Sequence, residues 1–108
     1  MELYNYKAKL IRIIDADTIE AYIDLGFHIY NKTSIRLLGY NAKEVRTKDL
    51  DEKALGLKQK AWLENLLKDK SILYVRSKKL DGFGRALGDI YLEDGRSIKD
   101  EFLKRWES

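Results

Sequence analysis

Asp15-Ala16-Asp17-Thr18-Ile19-Glu20-Ala21-Tyr22-Ile23-Asp24-Leu25 is the stretch on which the fold turns. From Thr18 the polarity alternates. Ile19, Ala21, Ile23 and Leu25 fall on one face and Glu20, Tyr22 and Asp24 on the other, the period of a half-buried strand. Asp15-Ala16-Asp17 is then a tight connection to an earlier strand, Tyr4 to Ile14, rich in β-branched and aromatic residues. Gly26 ends the second strand. A third runs from about Ile29 to Leu38, with a bulge or turn at Asn31-Lys32. In it Ile35 and Leu37 share a face, and Arg36 and Leu38 share the other.

Beyond Asp51 the period changes to that of a helix, from Asp51 to Lys68. Ala54, Leu57 and Ala61 make one row, and Leu55, Trp62 and Leu66 a second. Asp51 and Glu52 at its start and Lys68 at its end suit the macrodipole. Gly56 costs about 1 kcal/mol against Ala, which predicts a frayed first turn. Ile72 to Arg76 is a short strand, Leu80-Asp81-Gly82 a turn, and Arg85 to Leu92 another strand, closed by Asp94-Gly95. A last helix starts at a Ser97 cap and places Ile98, Phe102 and Trp106 on one face. The order βββ-α-β-β-α predicts a β-rich α+β fold. It is that of an OB-type five-stranded antiparallel barrel, with one helix after the third strand and one at the C-terminus.

The bulk numbers bound the rest. A chain of 108 residues is a single domain, 1–108. Its composition, 44% hydrophobic and 11% aromatic, is that of a folded protein. A net charge of +3 suits a polyanionic partner and equally a well-solvated surface. With no Cys, disulfides, thiolate metal sites and Cys nucleophiles are excluded. The lone His28 cannot make a His-rich zinc site and falls in a turn after Gly26. No apolar run marks a signal peptide or a membrane span. A monomeric, cytoplasmic product is the expectation, compatible with a phage or mobile-element origin.

Three clusters carry chemistry. Asp15 and Asp17, two apart in an extended segment, point the same way and could approach one cation, although Asp-x-Asp also simply makes turns. Asn41 and Glu44 follow the third strand and add an amide oxygen and a carboxylate. Oxygen donors of this kind suit Ca²⁺. Arg36 faces away from the Ile35/Leu37 row, so it lies outside the barrel near Asp17, either to grip a phosphate or to pair with an Asp. Arg85 follows Gly82-Phe83-Gly84 at the start of a strand. Lys43, Arg46 and Lys48 after the loop, and Lys78 and Lys79 before the glycine turn, offer charge to a nucleic-acid backbone or to water. Tyr40 reads as core rather than as a stacking platform.

With these motifs in this order, Ile14-Asp15-Ala16-Asp17-Thr18, Ile35-Arg36-Leu37-Leu38 through Glu44, and Asp81-Gly82-Phe83-Gly84-Arg85, the chain resembles the staphylococcal nuclease (thermonuclease) family over roughly Tyr6 to Trp106. The resemblance implies a Ca²⁺-dependent nuclease that hydrolyses DNA or RNA phosphodiesters to 3′-phosphate ends. By position it implies that Asp17, the Asn41 side chain and the Ala42 carbonyl ligate the metal, with Asp15 beside its waters. Glu44 would deprotonate the attacking water, and Arg36 and Arg85 would hold the scissile phosphate. Lys43, Arg46, Lys48, Lys78, Lys79 and Phe83 would contact the nucleic acid. The chain departs from the family where Asn41 replaces the usual Asp, Lys43 a common Pro, Gly82 a Lys and Phe83 a Tyr. The family's third helix is expected to be missing, which predicts a weaker or differently built grip on substrate. The alternative is a non-catalytic nucleic-acid-binding OB-fold module.

Overall fold

The computed structural model describes residues 4–70, 72–80 and 86–106. Its elements are β1 (Tyr4–Asp15), β2 (Thr18–Asp24), β3 (Tyr30–Leu37), α1 (Leu50–Leu67), β4 (Leu73–Leu80), β5 (Ala86–Tyr91) and α2 (Ile98–Trp106). The order is the one the sequence predicts.

The strands close into a barrel in the order β1-β2-β3-β5-β4, with β4 returning to β1. Closure depends on β1, whose first half pairs with β4 and whose second half pairs with β2. Register shifts between Leu10 and Arg12 and between Ile13 and Asp15 bend it from one neighbour to the other, as bulges do. All pairs are antiparallel except β3 with β5, which run parallel, so the barrel is mainly antiparallel as expected. Closure requires the parallel pair, because the directions of five strands cannot alternate all the way round a ring, so one neighbouring pair must run parallel.

Alternation does what it predicted in β2. Ile19, Ala21 and Ile23 point into the core, while Leu25 is exposed beyond the strand end. The β2–β3 ladder runs without a break from Thr18↔Arg36 to Asp24↔Tyr30, so Asn31-Lys32 is neither bulge nor turn. Strand β4 extends to Leu80, past the expected Arg76, because it pairs with β5 along that length.

The helix α1 differs most from expectation. Ala54, Leu57 and Ala61 face solvent, and the buried row is Gly56, Gln59, Leu63 and Leu67. Apolar residues lie on several sides of this helix, so periodicity alone does not select the packed face. Its first turn is held rather than frayed: Asp49 Oδ1 accepts hydrogen bonds from the Asp51 and Glu52 backbone N–H groups at 3.0 and 3.1 Å. In α2, Ser97 Oγ accepts from the Asp100 N–H, and Ile98 and Phe102 are buried as predicted.

Phe102 closes one side of the core. Its ring stacks on Tyr40 at 4.3 Å between centroids and meets Trp62 and Trp106 at 5.9 and 5.0 Å. An aromatic side chain buried this fully is worth about 3 kcal/mol or more against Ala. The cluster ties α1, α2 and the segment after β3 together, and that segment carries the candidate site. Among the described residues no helix is long and apolar enough to cross a membrane.

Candidate active site

One cleft gathers the end of β1, the start of β2, the end of β3, the loop that follows it and the first turn of α1. Its volume is about 300 Å³, and its walls include Asp15, Asp17, Arg36, Asn41, Ala42, Lys43 and Glu44. They come from two of the three motifs, residues 15–18 and 35–44, while the third, residues 81–85, lies outside the described residues.

Asp17 is the centre. It is only 6% exposed and compensated on both oxygens. Oδ1 accepts from Thr18 Oγ1 at 3.0 Å, while Oδ2 accepts from the Ala42 N–H at 2.8 Å and pairs with Arg36 Nη1 at 3.1 Å. Burying a carboxylate this far is costly unless it is paired and hydrogen-bonded, as it is here. Arg36 lies outside the barrel near Asp17, as its strand parity predicts. It donates to the Leu37 and Tyr40 carbonyls at 2.7 and 3.3 Å and to Asn41 Oδ1 at 2.5 Å. The ion pair with Asp17 is formed, and Arg36 lines the cleft as well.

The loop that carries Asn41, Ala42 and Glu44 is held by its own backbone. Gly39, at φ +92°, turns the chain after β3, a conformation L side chains rarely adopt. Tyr40 then points inward and donates its hydroxyl to the Ala16 carbonyl at 2.6 Å. Burial, reinforced by the charge of Asp17, pushes its phenol far above the ordinary value, so it remains a neutral donor. Tyr40 is core, as expected. Successive loop N–H groups are captured in turn: Ala42 by Asp17, Lys43 by Gln59 Oε1 at 2.8 Å, and Val45 by Asp15 Oδ1 at 3.0 Å.

Three residues of α1 stand at the site although the sequence reading assigned them no role there. Gln59 is 4% exposed and makes the Lys43 bond just described. Gly56 lets the loop pass against the helix, since a Cβ there would stand 2.8 Å from the Glu44 carbonyl oxygen and 3.0 Å from that of Lys43. Glu52 adds a further carboxylate to the cleft wall. The signal was present. Glu52, Gly56 and Gln59 fall at i, i+4 and i+7, and Leu63 and Leu67 continue their row. A glycine and a glutamine in line with buried leucines mark a face that meets backbone rather than apolar side chains.

The remaining sites scatter. Arg46 and Lys48 are exposed on the loop beyond the cleft, and Lys43 is exposed at its wall. Lys78 and Lys79 fall on β4. Phe83 and Arg85 lie outside the described residues. His28 sits on the β2–β3 turn, at the opposite end of those strands from Asp17.

As to a metal, no three His, Cys, Asp or Glu side chains among the described residues gather closely enough to hold an ion by themselves. The lining nonetheless supplies oxygen groups of the kinds Ca²⁺ takes, the carboxylates of Asp15, Asp17 and Glu44 and the amide of Asn41. In chemistry these residues fit a calcium ion, which would draw on the amide as well as on carboxylates.

Comparison with known proteins agrees with this geometry. Residues 34–105 match the family model of the staphylococcal nuclease homologues. Endonuclease YhcR of Bacillus subtilis (strain 168) is 31% identical over 107 residues, which cover 93% of this chain and 8% of that protein. The chain therefore spans less than a tenth of the length of that relative.

Proposed function

Since the chain belongs to the staphylococcal nuclease family, we propose that its cleft hydrolyses phosphodiester bonds of DNA or RNA, with Ca²⁺ as cofactor and 3′-phosphate ends as product. The observation that carries this reading is the convergence of Asp17, Arg36, Asn41 and Glu44 on one cleft from separate parts of the chain. Asp17, the Asn41 amide oxygen and the Ala42 carbonyl would hold the ion, and Asp15 would lie beside its waters. When bound, the ion would supply positive charge that polarises the phosphate and lowers the pKa of nearby water.

The chain's own residues do the rest. Glu44 is exposed at the cleft wall, free to take a proton from the attacking water. The water oxygen bonds to phosphorus, the bond from phosphorus to the 5′ oxygen breaks, and that oxygen takes a proton from solvent water and leaves as a hydroxyl. Arg36 presents a planar fork to the phosphate oxygens as their charge grows, and Arg85 is proposed as its partner. Arg36 is preorganised for this by the Leu37 and Tyr40 carbonyls, so it need not be ordered when substrate arrives.

One observation favours the second reading, a nucleic-acid-binding module without catalysis. Asn41 brings no charge to the ion, and its amide oxygen is already engaged by Arg36. Incubation with single-stranded and duplex DNA, in Ca²⁺ or in EDTA, separates the two. Cleavage is expected only with Ca²⁺, and Glu44→Gln is expected to lower it by about 10²–10⁴-fold. Asn41→Asp is expected to tighten Ca²⁺ binding. Salt-sensitive retention of DNA without cleavage by the folded protein would favour the binding module.

A further inference from the structure

The outward row of β2 and β3 continues past the cleft. Thr18 and Arg36, paired across the two strands, are in the cleft wall. The next outward pair is Glu20 with Ser34, and the one after it is Tyr22 with Lys32. On its other side Tyr22 pairs with Lys9 of β1. A tyrosine is thus bracketed by two lysines in one cross-strand row, four residues along the strand from the cleft, a distance of roughly 13 Å.

Folding does not account for Tyr22. Its side chain is 44% exposed and has no ring or hydrogen-bond partner among the described residues. A second tyrosine, Tyr30, is 49% exposed, and a small hollow of about 50 Å³ is lined by both tyrosines together with Lys7, Lys9 and Asp24. The acidic residues on this row are already engaged. Glu20 pairs with Arg12 at 3.5 Å and Lys32 at 3.9 Å, and Asp24 Oδ1 accepts from the Gly26 N–H at 2.8 Å. Lys7 and Lys9 remain exposed.

We propose that this face is an extension of the substrate site for single-stranded nucleic acid. A base stacks on Tyr22 while Lys7 and Lys9 neutralise the flanking phosphates, so the strand leaving the cleft lies along β2 and its neighbours. The inference rests on the nuclease reading in treating cleft and face as one track. Aromatic platforms interleaved with cations are how proteins hold single strands without reading their sequence. A protein partner suits the face less well, because the centres of protein interfaces are depleted in lysine. Duplex suits it less well too, because its base faces are covered by stacking.

The test is a binding titration of the full chain in EDTA, with labelled single strands of increasing length, from a dinucleotide to one that spans both regions. Wild type is expected to gain affinity as the strand outgrows the cleft. Tyr22→Ala is expected to lose about tenfold on the longest strand, while Tyr22→Phe, which keeps the stacking face, retains it. Lys9→Gln is expected to weaken binding and to reduce the salt dependence by about one phosphate contact. Folding of each variant is checked by circular dichroism, and Lys9→Gln tests the face even if Tyr22→Ala is unstable. Wild-type length dependence in Tyr22→Ala and Lys9→Gln overturns the inference. Cleavage assays on the same proteins keep the two readings apart. Strand binding through Tyr22 without any cleavage overturns the nuclease reading and leaves the face standing. Cleavage indifferent to Tyr22 and Lys9 does the reverse.

Discussion

Where β2 begins and β3 ends, Asp17, Thr18 and Arg36 hold one another and the loop beyond. Where β2 ends and β3 begins, the chain turns on Leu25 through Ile29 with its side chains in water. The two ends belong to the same pair of strands and share one unbroken ladder. At the cleft end no buried side-chain nitrogen or oxygen is left without a partner among the described residues. At the far end Phe27 is 95% exposed, and Phe27 and His28 both take left-handed backbone, at φ +54° and +62°. Two backbone hydrogen bonds between Leu25, Gly26 and Ile29 hold that turn. The contrast shows where this small domain concentrates its constraints. Charge brought together out of water is costly unless each group is met, so the cleft end is determined many times over. The turn carries no such charge and can keep strained, exposed residues.

Substitutions at the two ends test that contrast. Arg36→Ala is expected to have the largest effect. It strips Asp17 of its ion pair and releases two loop carbonyls and Asn41, which should cost about 3 kcal/mol in denaturant unfolding. Cleavage should fall by about 10²-fold or more, and Arg36→Lys should not restore it, because an ammonium cannot reproduce the planar fork.

Gly56→Ala sharpens the comparison, because helix propensity and packing oppose each other there. Ala gains about 1 kcal/mol as a helix former. Its methyl would press on the Glu44 carbonyl at 2.8 Å, and relieving such a contact costs about 1–3 kcal/mol. A net loss of about 1 kcal/mol in thermal or chemical unfolding is expected, with a larger relative loss of cleavage as the Glu44 loop shifts. A stabilised and fully active Gly56→Ala would show that the loop is not set by this contact.

Phe27→Gly should do least. Relief of a left-handed phenylalanine and the added freedom of the unfolded chain roughly cancel, so a change within about 0.5 kcal/mol is expected by the same unfolding measurement. A loss there comparable with that of Arg36→Ala would break the comparison, since it would mean that the turn is also a constrained site.

Short-range pattern made much of this protein legible. Alternation in Thr18–Asp24 predicts a strand whose odd residues fill the barrel, and parity alone puts Arg36 outside the barrel wall near Asp17. Those are properties of a two-residue repeat and need no knowledge of the partner strand. Motif order brought Asp15, Asp17, Asn41 and Glu44 to one place on paper because each falls at the end of a recognisable element. Hydrophobic periodicity alone does not say which side of α1 packs, since Ala54, Leu57 and Ala61 form as good an apolar row as the buried one, and the Gly56-Gln59 signal has meaning only once a backbone segment lies against it. Tertiary structure decided it: the helix turns toward the loop the face on which Gly56 has no Cβ to clash and Gln59 has an oxygen to offer the Lys43 N–H. The same holds for the parallel β3–β5 seam, which follows from barrel closure and not from either strand's own sequence. Local chemistry determined what each segment is, and the need to satisfy backbone groups between segments distant in the chain determined which faces meet.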